Sequence, residues 1–123
     1  MAKVLVVEDD LRLKMTYDIL LKKEGHTVER AMNGVEALEK LASFRPDLIL
    51  LDLMMPVMTG IEFLAAARVR ENYPDTRVIV FSNMSVPSEV DKAFALGATK
   101  YMLKSSTSPK QLAALVEQTL AKT

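Results

Sequence analysis

The sequence predicts an α/β protein: a (βα)5 chain folded as a doubly wound parallel five-stranded sheet. Three observations carry that prediction. Short apolar runs of strand length alternate along the 123 residues with longer stretches whose apolar residues recur at helical spacing. One of the runs, Leu48–Leu51, is apolar without alternation, the mark of a strand buried on both faces. Capping residues stand at the strand-to-helix junctions, so each strand hands the chain on to a helix that crosses back over the sheet.

Lys3–Val7 is the first strand and ends in Glu8-Asp9-Asp10. The first helix runs on to Lys23 or Glu24, with Leu13, Tyr17, Leu20 and Leu21 on its core face and Gly25 as its C′ residue. Thr27–Met32 is a more polar strand, which places it at a sheet edge. Asn33 and Glu36 cap the second helix, whose apolar residues are Val35, Ala37, Leu38 and Leu41, and Pro46 marks its exit.

The central strand, Leu48–Leu51, presents a single carboxylate, Asp52, at its end. Pro56 forbids a continuing ladder, and Thr59-Gly60-Ile61-Glu62 is a capping box that opens the third helix. That helix carries Ile61, Leu64 and Ala65 and ends before Pro74. Arg77–Phe81 is the fourth strand, with Ser82-Asn83 at its end. The fourth helix begins near Ser85 with Pro87 in its first turn, carries Val90, Ala93 and Phe94, and stops at Gly97. Lys100–Leu103 is the fifth strand, and Lys104 follows it. Ser108-Pro109-Lys110-Gln111 is a second capping box, and Leu112, Leu115, Val116 and Leu120 stripe the last helix.

Composition bounds the function. The length suits a single domain, residues 1–123, with one substantial core. Sixteen basic and sixteen acidic residues give zero net charge, so no basic field points to direct nucleic-acid contact. There is no cysteine, hence no disulfide frame and no thiolate metal site. No apolar run has the length of a membrane span, and the expected compartment is the cytoplasm. His26, the only histidine, follows Gly25 and is expected in a surface turn, outside any phosphotransfer chemistry.

The polar residues at the strand ends form a set: Glu8 and Asp9 after the first strand, Asp52 after the third, Ser82 after the fourth and Lys104 after the fifth. All lie at carboxyl ends and therefore on one rim. In the flavodoxin-like order 2-1-3-4-5, the first and third strands are neighbours and the three carboxylates converge at the topological switch point. Three anions in one crevice repel unless a cation sits among them, and with oxygen ligands only, Mg²⁺ or Mn²⁺ is the natural choice. Asp10 is expected to serve only as a helix cap.

With those residues placed, the chain resembles the receiver domain of bacterial two-component response regulators along essentially its whole length. The resemblance runs through VLVVEDD, LILLDLMMPVMTG, VIVFS and YMLK, and its most specific stretch is D-x-M-M-P-x-M-x-G. It implies a phosphoryl acceptor at Asp52, a metal held by Glu8, Asp9, Asp52 and the Met54 carbonyl, and phosphoryl contacts from Ser82 and Lys104. It implies further that Tyr101 is the switch aromatic and that Met54 and Met84 border the approach of the hydrolytic water. The implied partners are a histidine kinase or histidine phosphotransfer protein upstream and, downstream, an effector that reads the helix 4–strand 5–helix 5 face. Such a domain is not an enzyme on an external substrate; it catalyses only its own phosphorylation and dephosphorylation.

Three stretches depart from the family pattern. Ser105 follows Lys104 where proline is usual, so a cis peptide is not expected there by default. Asn83 follows Ser82 where a small residue is common, which narrows the phosphodonor's access. Thr99-Lys100 replaces an acidic pair common in winged-helix transcription regulators, which counts against their usual dimer contacts. Among rival readings, a phosphatase with an Asp nucleophile would carry a second Asp where Met54 stands, and a phosphate-cradling nucleotide site is opposed by Glu8-Asp9-Asp10. The remaining alternative is a receiver-like interaction module that works without phosphorylation.

Overall fold

Leu48–Leu51 is buried at every position, as an unalternating apolar run requires, and forms the central strand, β3. The computed structural model describes residues 2–121. Around β3 lie β1 (Lys3–Val7), β2 (Thr27–Ala31), β4 (Arg77–Ser82) and β5 (Lys100–Leu103), all parallel, in the order β2-β1-β3-β4-β5. The helices are α1 (Leu11–Lys23), α2 (Gly34–Phe44), α3 (Gly60–Ala67), α4 (Pro87–Ala95) and α5 (Pro109–Ala121). The predicted fold class and strand order are therefore both observed, with the more polar β2 at an edge.

Strand periodicity divides the core into two layers. Leu5 and Val7 of β1 join Ile49, Leu51, Val78 and Val80 against α2, α3 and α4. Val4 and Val6 face the other way and pack with Leu48, Leu50, Ile79 and Phe81 against Tyr17 and Leu21 of α1 and Leu112 and Val116 of α5. Each fully buried leucine contributes about 2 kcal/mol of transfer free energy, so both layers are needed to offset chain entropy.

The caps behave as their chemistry dictates. Asp10 accepts from the Arg12 and Leu13 amides, Asn33 accepts from Glu36, and Glu36 reaches back to the Met32 amide. Both capping boxes close reciprocally, Thr59 with Glu62 and Ser108 with Gln111.

The third predicted helix is interrupted. α3 ends at Arg68, which adopts a left-handed backbone (φ 48°), and a separate helical turn, Val69–Asn72, follows. The core face of α3 is Gly60, Phe63, Leu64 and Ala67, whereas Ala65, one of the apolar residues that the sequence places on this helix, is exposed. Four residues beyond Ala67 on a straight helix comes Glu71, so continuation would drive a carboxylate into the core. The break turns Val69 inward instead, at 1 % exposure.

His26 is also not where it was expected. It is buried, with Nδ1 accepting from the Ala2 amide at 3.2 Å and Nε2 donating to Glu117 Oε1 at 2.7 Å. An imidazole can leave the surface when both nitrogens find partners, and here it ties the start of β1 to α5.

Gly60 is the glycine that the site geometry needs. A Cβ there would stand 2.6 Å from the Asp52 carbonyl oxygen and 2.7 Å from Leu53 Cα, both backbone atoms that cannot swing aside. At Gly34 the three nearest atoms all belong to the Met58 side chain. Gly60→Ala is therefore expected to cost about 1–3 kcal/mol in denaturant unfolding and Gly34→Ala distinctly less, although both sit in first helical turns where alanine is the better helix former. Equal costs would refute the close-approach account.

Candidate functional site

Register brings the site together. Val7 pairs with Leu51 across β1 and β3, so the next residues, Glu8 and Asp52, emerge side by side. Ser82 pairs with Leu103 across β4 and β5, which leaves Lys104 one step beyond. Strand ends thus bring five of the predicted site residues, Glu8, Asp9, Asp52, Ser82 and Lys104, to one rim.

Asp52 is buried, and both of its oxygens have donors. Oδ1 accepts from Ser82 Oγ at 2.7 Å and from the Met54 amide at 3.0 Å, and Oδ2 accepts from Lys104 Nζ at 2.9 Å. Lys104 Nζ also reaches Glu8 Oε1 at 2.5 Å. Glu8, Asp9 and Asp52 each offer an oxygen within 4.8 Å of the others, with Asp9 the most accessible of the three. An all-oxygen, triply anionic donor set suits a hard divalent cation, so these residues fit Mg²⁺ or Mn²⁺. Asp10 and not Asp9 caps α1, which leaves the Asp9 carboxylate available to the rim.

Burial governs the protonation balance. It raises the Glu8 carboxyl above its ordinary value, against the opposing hydrogen bond and charge of Lys104 and the Asp10 amide. Burial works to lower the Lys104 ammonium, but its bonds to Glu8 and Asp52 prevail and hold it above the usual lysine value. Beneath the rim, Tyr17 packs edge-on against Phe81, ring centroids 5.3 Å apart. Its phenol is pushed up by burial and by the carboxylates of Glu8, Asp52 and Asp10. The helical stripe marked Tyr17 only as core; that it also floors the acidic rim needed the tertiary structure.

A hydrogen-bond chain leaves the site. The Met84 amide donates to Ser82 Oγ at 3.2 Å, and the Met84 carbonyl accepts from the Tyr101 hydroxyl. Ser82 is therefore already against Asp52, and Tyr101 already lies toward the β4–α4 loop. Met54 is largely exposed, whereas Met84 is half-buried against the α2–α4 side of the core.

Comparison with known proteins gives a consistent picture. The model of the response regulator receiver domain matches residues 4–117. Sporulation initiation phosphotransferase F of Bacillus subtilis is 32% identical over 102 residues, 83% of this chain and 81% of that protein. PilG of Pseudomonas aeruginosa is 31% identical over 113 residues, 92% of this chain and 84% of that one. Response regulator MprA of Mycobacterium ulcerans is 37% identical over 102 residues, 83% of this chain but 43% of its own length, so the chain spans less than half of that relative. Among solved structures, the chemotaxis protein CheY4 of Vibrio cholerae superposes with a TM-score of 0.87 at 34% identity, covering 97% of this chain and 98% of its own. No helix among the described residues is long and apolar enough to cross a membrane.

Lys104 is the counter-charge on which Glu8 and Asp52 depend. Between the unfolded carboxyl value of 4.5 and its raised folded value, Glu8 keeps a proton in the folded state that the unfolded chain has lost. That difference makes stability fall as pH rises through the window. Lys104→Met removes the opposing influences and extends the window upward, and the uncompensated carboxylates are expected to cost about 3 kcal/mol near neutrality. Denaturant midpoints of both proteins at about pH 5 and about pH 7.5 check this, since the gap between them should widen with pH. A constant gap would mean that Lys104 does not oppose the protonation of Glu8.

Proposed function

The chain belongs to the response regulator receiver domain family, and on that premise we propose that it is a phosphorylation-dependent signalling switch whose phosphoryl acceptor is Asp52. The donor is a histidine kinase or a histidine phosphotransfer protein, and the reaction depends on Mg²⁺, with Mn²⁺ a substitute. The observation that carries this reading is the convergence on Asp52 of a buried hydroxyl, a partly buried ammonium and two further carboxylates.

A carboxylate is a weak nucleophile toward an anionic phosphoryl group, so the site's task is to cancel charge and fix geometry. An Asp52 oxygen attacks phosphorus as the bond to the donor imidazole breaks, giving an aspartyl phosphate and free imidazole. Glu8, Asp9, Asp52 and the Met54 carbonyl would hold the metal, which supplies positive charge to the transferring phosphoryl oxygens. Ser82 Oγ and Lys104 Nζ, now on the two oxygens of Asp52, would pass to phosphoryl oxygens as the acyl phosphate forms. Because Met84 bonds both Ser82 and Tyr101, a shift of Ser82 is transmitted to Tyr101 and to the α4-β5-α5 face, which a downstream effector would read.

Hydrolysis of the product needs a water held in line with phosphorus. Met54 and Met84, the residues two beyond Asp52 and Ser82, offer a thioether, which cannot donate and scarcely accepts a hydrogen bond. The phosphorylated state is therefore expected to be long-lived.

Incubation with acetyl phosphate and Mg²⁺, read by intact mass, should add one phosphoryl group to wild type and none to Asp52→Asn. Asp9→Ala should abolish the Mg²⁺-dependent labelling while leaving metal-free stability equal or higher, since it relieves carboxylate crowding. Labelling that survives in Asp52→Asn would refute the acceptor assignment, and the working alternative would then be phosphorylation-independent binding.

For lifetime, Met54→Asn combined with Met84→Glu is expected to hasten loss of the phosphoryl group roughly tenfold, about 1.4 kcal/mol of barrier. A double mutant no faster than a wild type that decays within seconds would sink this account.

A further inference from the structure

Lys104 must be held where it bridges Glu8 and Asp52. Its own segment ties the turn to the Leu103 carbonyl through Ser106 Oγ at 3.4 Å and Thr107 Oγ1 at 2.8 Å, but supplies no side-chain cap for the turn's leading amides. Lys104 opens a single 3-10 turn, Lys104–Ser106, and the residue before that turn, Leu103, has no side chain able to cap it. The cap comes from another loop: the Ser105 amide donates to Asn83 Oδ1 at 3.0 Å. The two departures noted at the ends of β4 and β5 meet in this one bond. A proline in place of Ser105 would have no N–H to donate, and it would disfavour the helical backbone that Lys104 adopts. Asn83 directly follows Ser82, and Ser105 directly follows Lys104. The bond therefore joins the neighbours of the two groups that hold the oxygens of Asp52.

We propose that Asn83 is a positioning residue for phosphoryl transfer. Its side-chain carbonyl caps the turn that carries Lys104 and couples the β4–α4 and β5–α5 loops, so that the Ser82 hydroxyl and Lys104 ammonium address Asp52 as one unit. The pair Asn83–Ser105 does by a hydrogen bond what a stiff residue after the lysine would otherwise do. The proposal rests on Asp52 being the acceptor for its kinetic consequence, but the cap itself does not.

The test is a double-mutant cycle with Lys104, with labelling by acetyl phosphate measured at saturating Mg²⁺. Asn83→Ala is expected to slow labelling about threefold, the worth of one exposed hydrogen bond, because loss of the cap outweighs the wider access that a smaller side chain gives the donor. It should leave unchanged the Mg²⁺ concentration that gives half-maximal labelling, and it should cause no further slowing in a Lys104→Ala background. No slowing, or equal slowing in both backgrounds, overturns the proposal, because a merely structural role would act regardless of Lys104.

Two readouts are independent of phosphorylation: hydrogen exchange of the Ser105 amide and the NMR signal of the Lys104 ammonium. Both should change in Asn83→Ala, and Ser105 protection should return in Asn83→Asp, which keeps the accepting oxygen. An unchanged Lys104 signal in Asn83→Ala also overturns the proposal. If wild type takes no label at all, the acceptor reading fails, and these two signals still decide whether Asn83 positions the lysine.

Discussion

Carboxylate crowding at the carboxyl end of a parallel sheet is the constraint on which the rest of the molecule depends. Glu8, Asp9 and Asp52 bring their oxygens within 4.8 Å of one another, and two of the three are buried. Such an arrangement is costly unless positive charge is delivered to it, because low-dielectric surroundings magnify the repulsion. The chain delivers one charge of its own, Lys104, across a separation of 96 residues from Glu8. That single ammonium cannot balance three carboxylates, and the remaining negative charge suits the rim to a divalent cation, which the proposed phosphoryl transfer calls for.

The frame that enforces the crowding is rigid for reasons unrelated to charge. Leu50, Leu51 and their neighbours in β1 and β4 are locked by parallel register and by core on both faces, so the residues after them have little freedom of placement. Gly60 adds a second restraint by bringing the start of α3 against the Asp52 carbonyl, with the Gly60 amide bonded to Leu53. The candidate side chains sit at the last residue of a strand (Ser82) or on the segments that follow the strands, and each is gripped within one or two residues by the sheet. This is the ordinary division of labour in α/β proteins, in which scaffold stiffness supplies the precision of a loop site.

The features legible in the sequence were those whose physics is local. Capping boxes at Thr59 and Ser108, the unbroken apolar run of β3 and the set of polar strand ends all follow from spacing alone. The features that were missed depend on what arrives from elsewhere. The break at Arg68 answers the prospect of burying Glu71, which becomes visible only once the helix has a core to face. His26 is buried because Glu117, 91 residues away, and the Ala2 amide supply both partners of its ring. Asn83 and Ser105 were visible as separate oddities, and neither suggested that the other was its explanation.

Communication from such a site can be short because it runs through backbone. Ser82 and Met84 are two residues apart on one loop, so the amide of Met84 follows the Ser82 hydroxyl while its carbonyl carries Tyr101. The Met84 backbone is thus the bonded route between the Ser82 hydroxyl and the aromatic ring. The loop's other end starts α4 at Val86 without a side-chain cap, which leaves little local bonding to resist a shift. At its far end α4 is gripped instead, as Arg70 donates to the Phe94 and Ala95 carbonyls. A helix tethered at its carboxyl end and lightly held at its amino end is disposed to pivot, and the amino end is the one bonded to the site. Under the proposed switch, a charge event at Asp52 would therefore enter at Ser82 and meet least resistance at the amino end of α4.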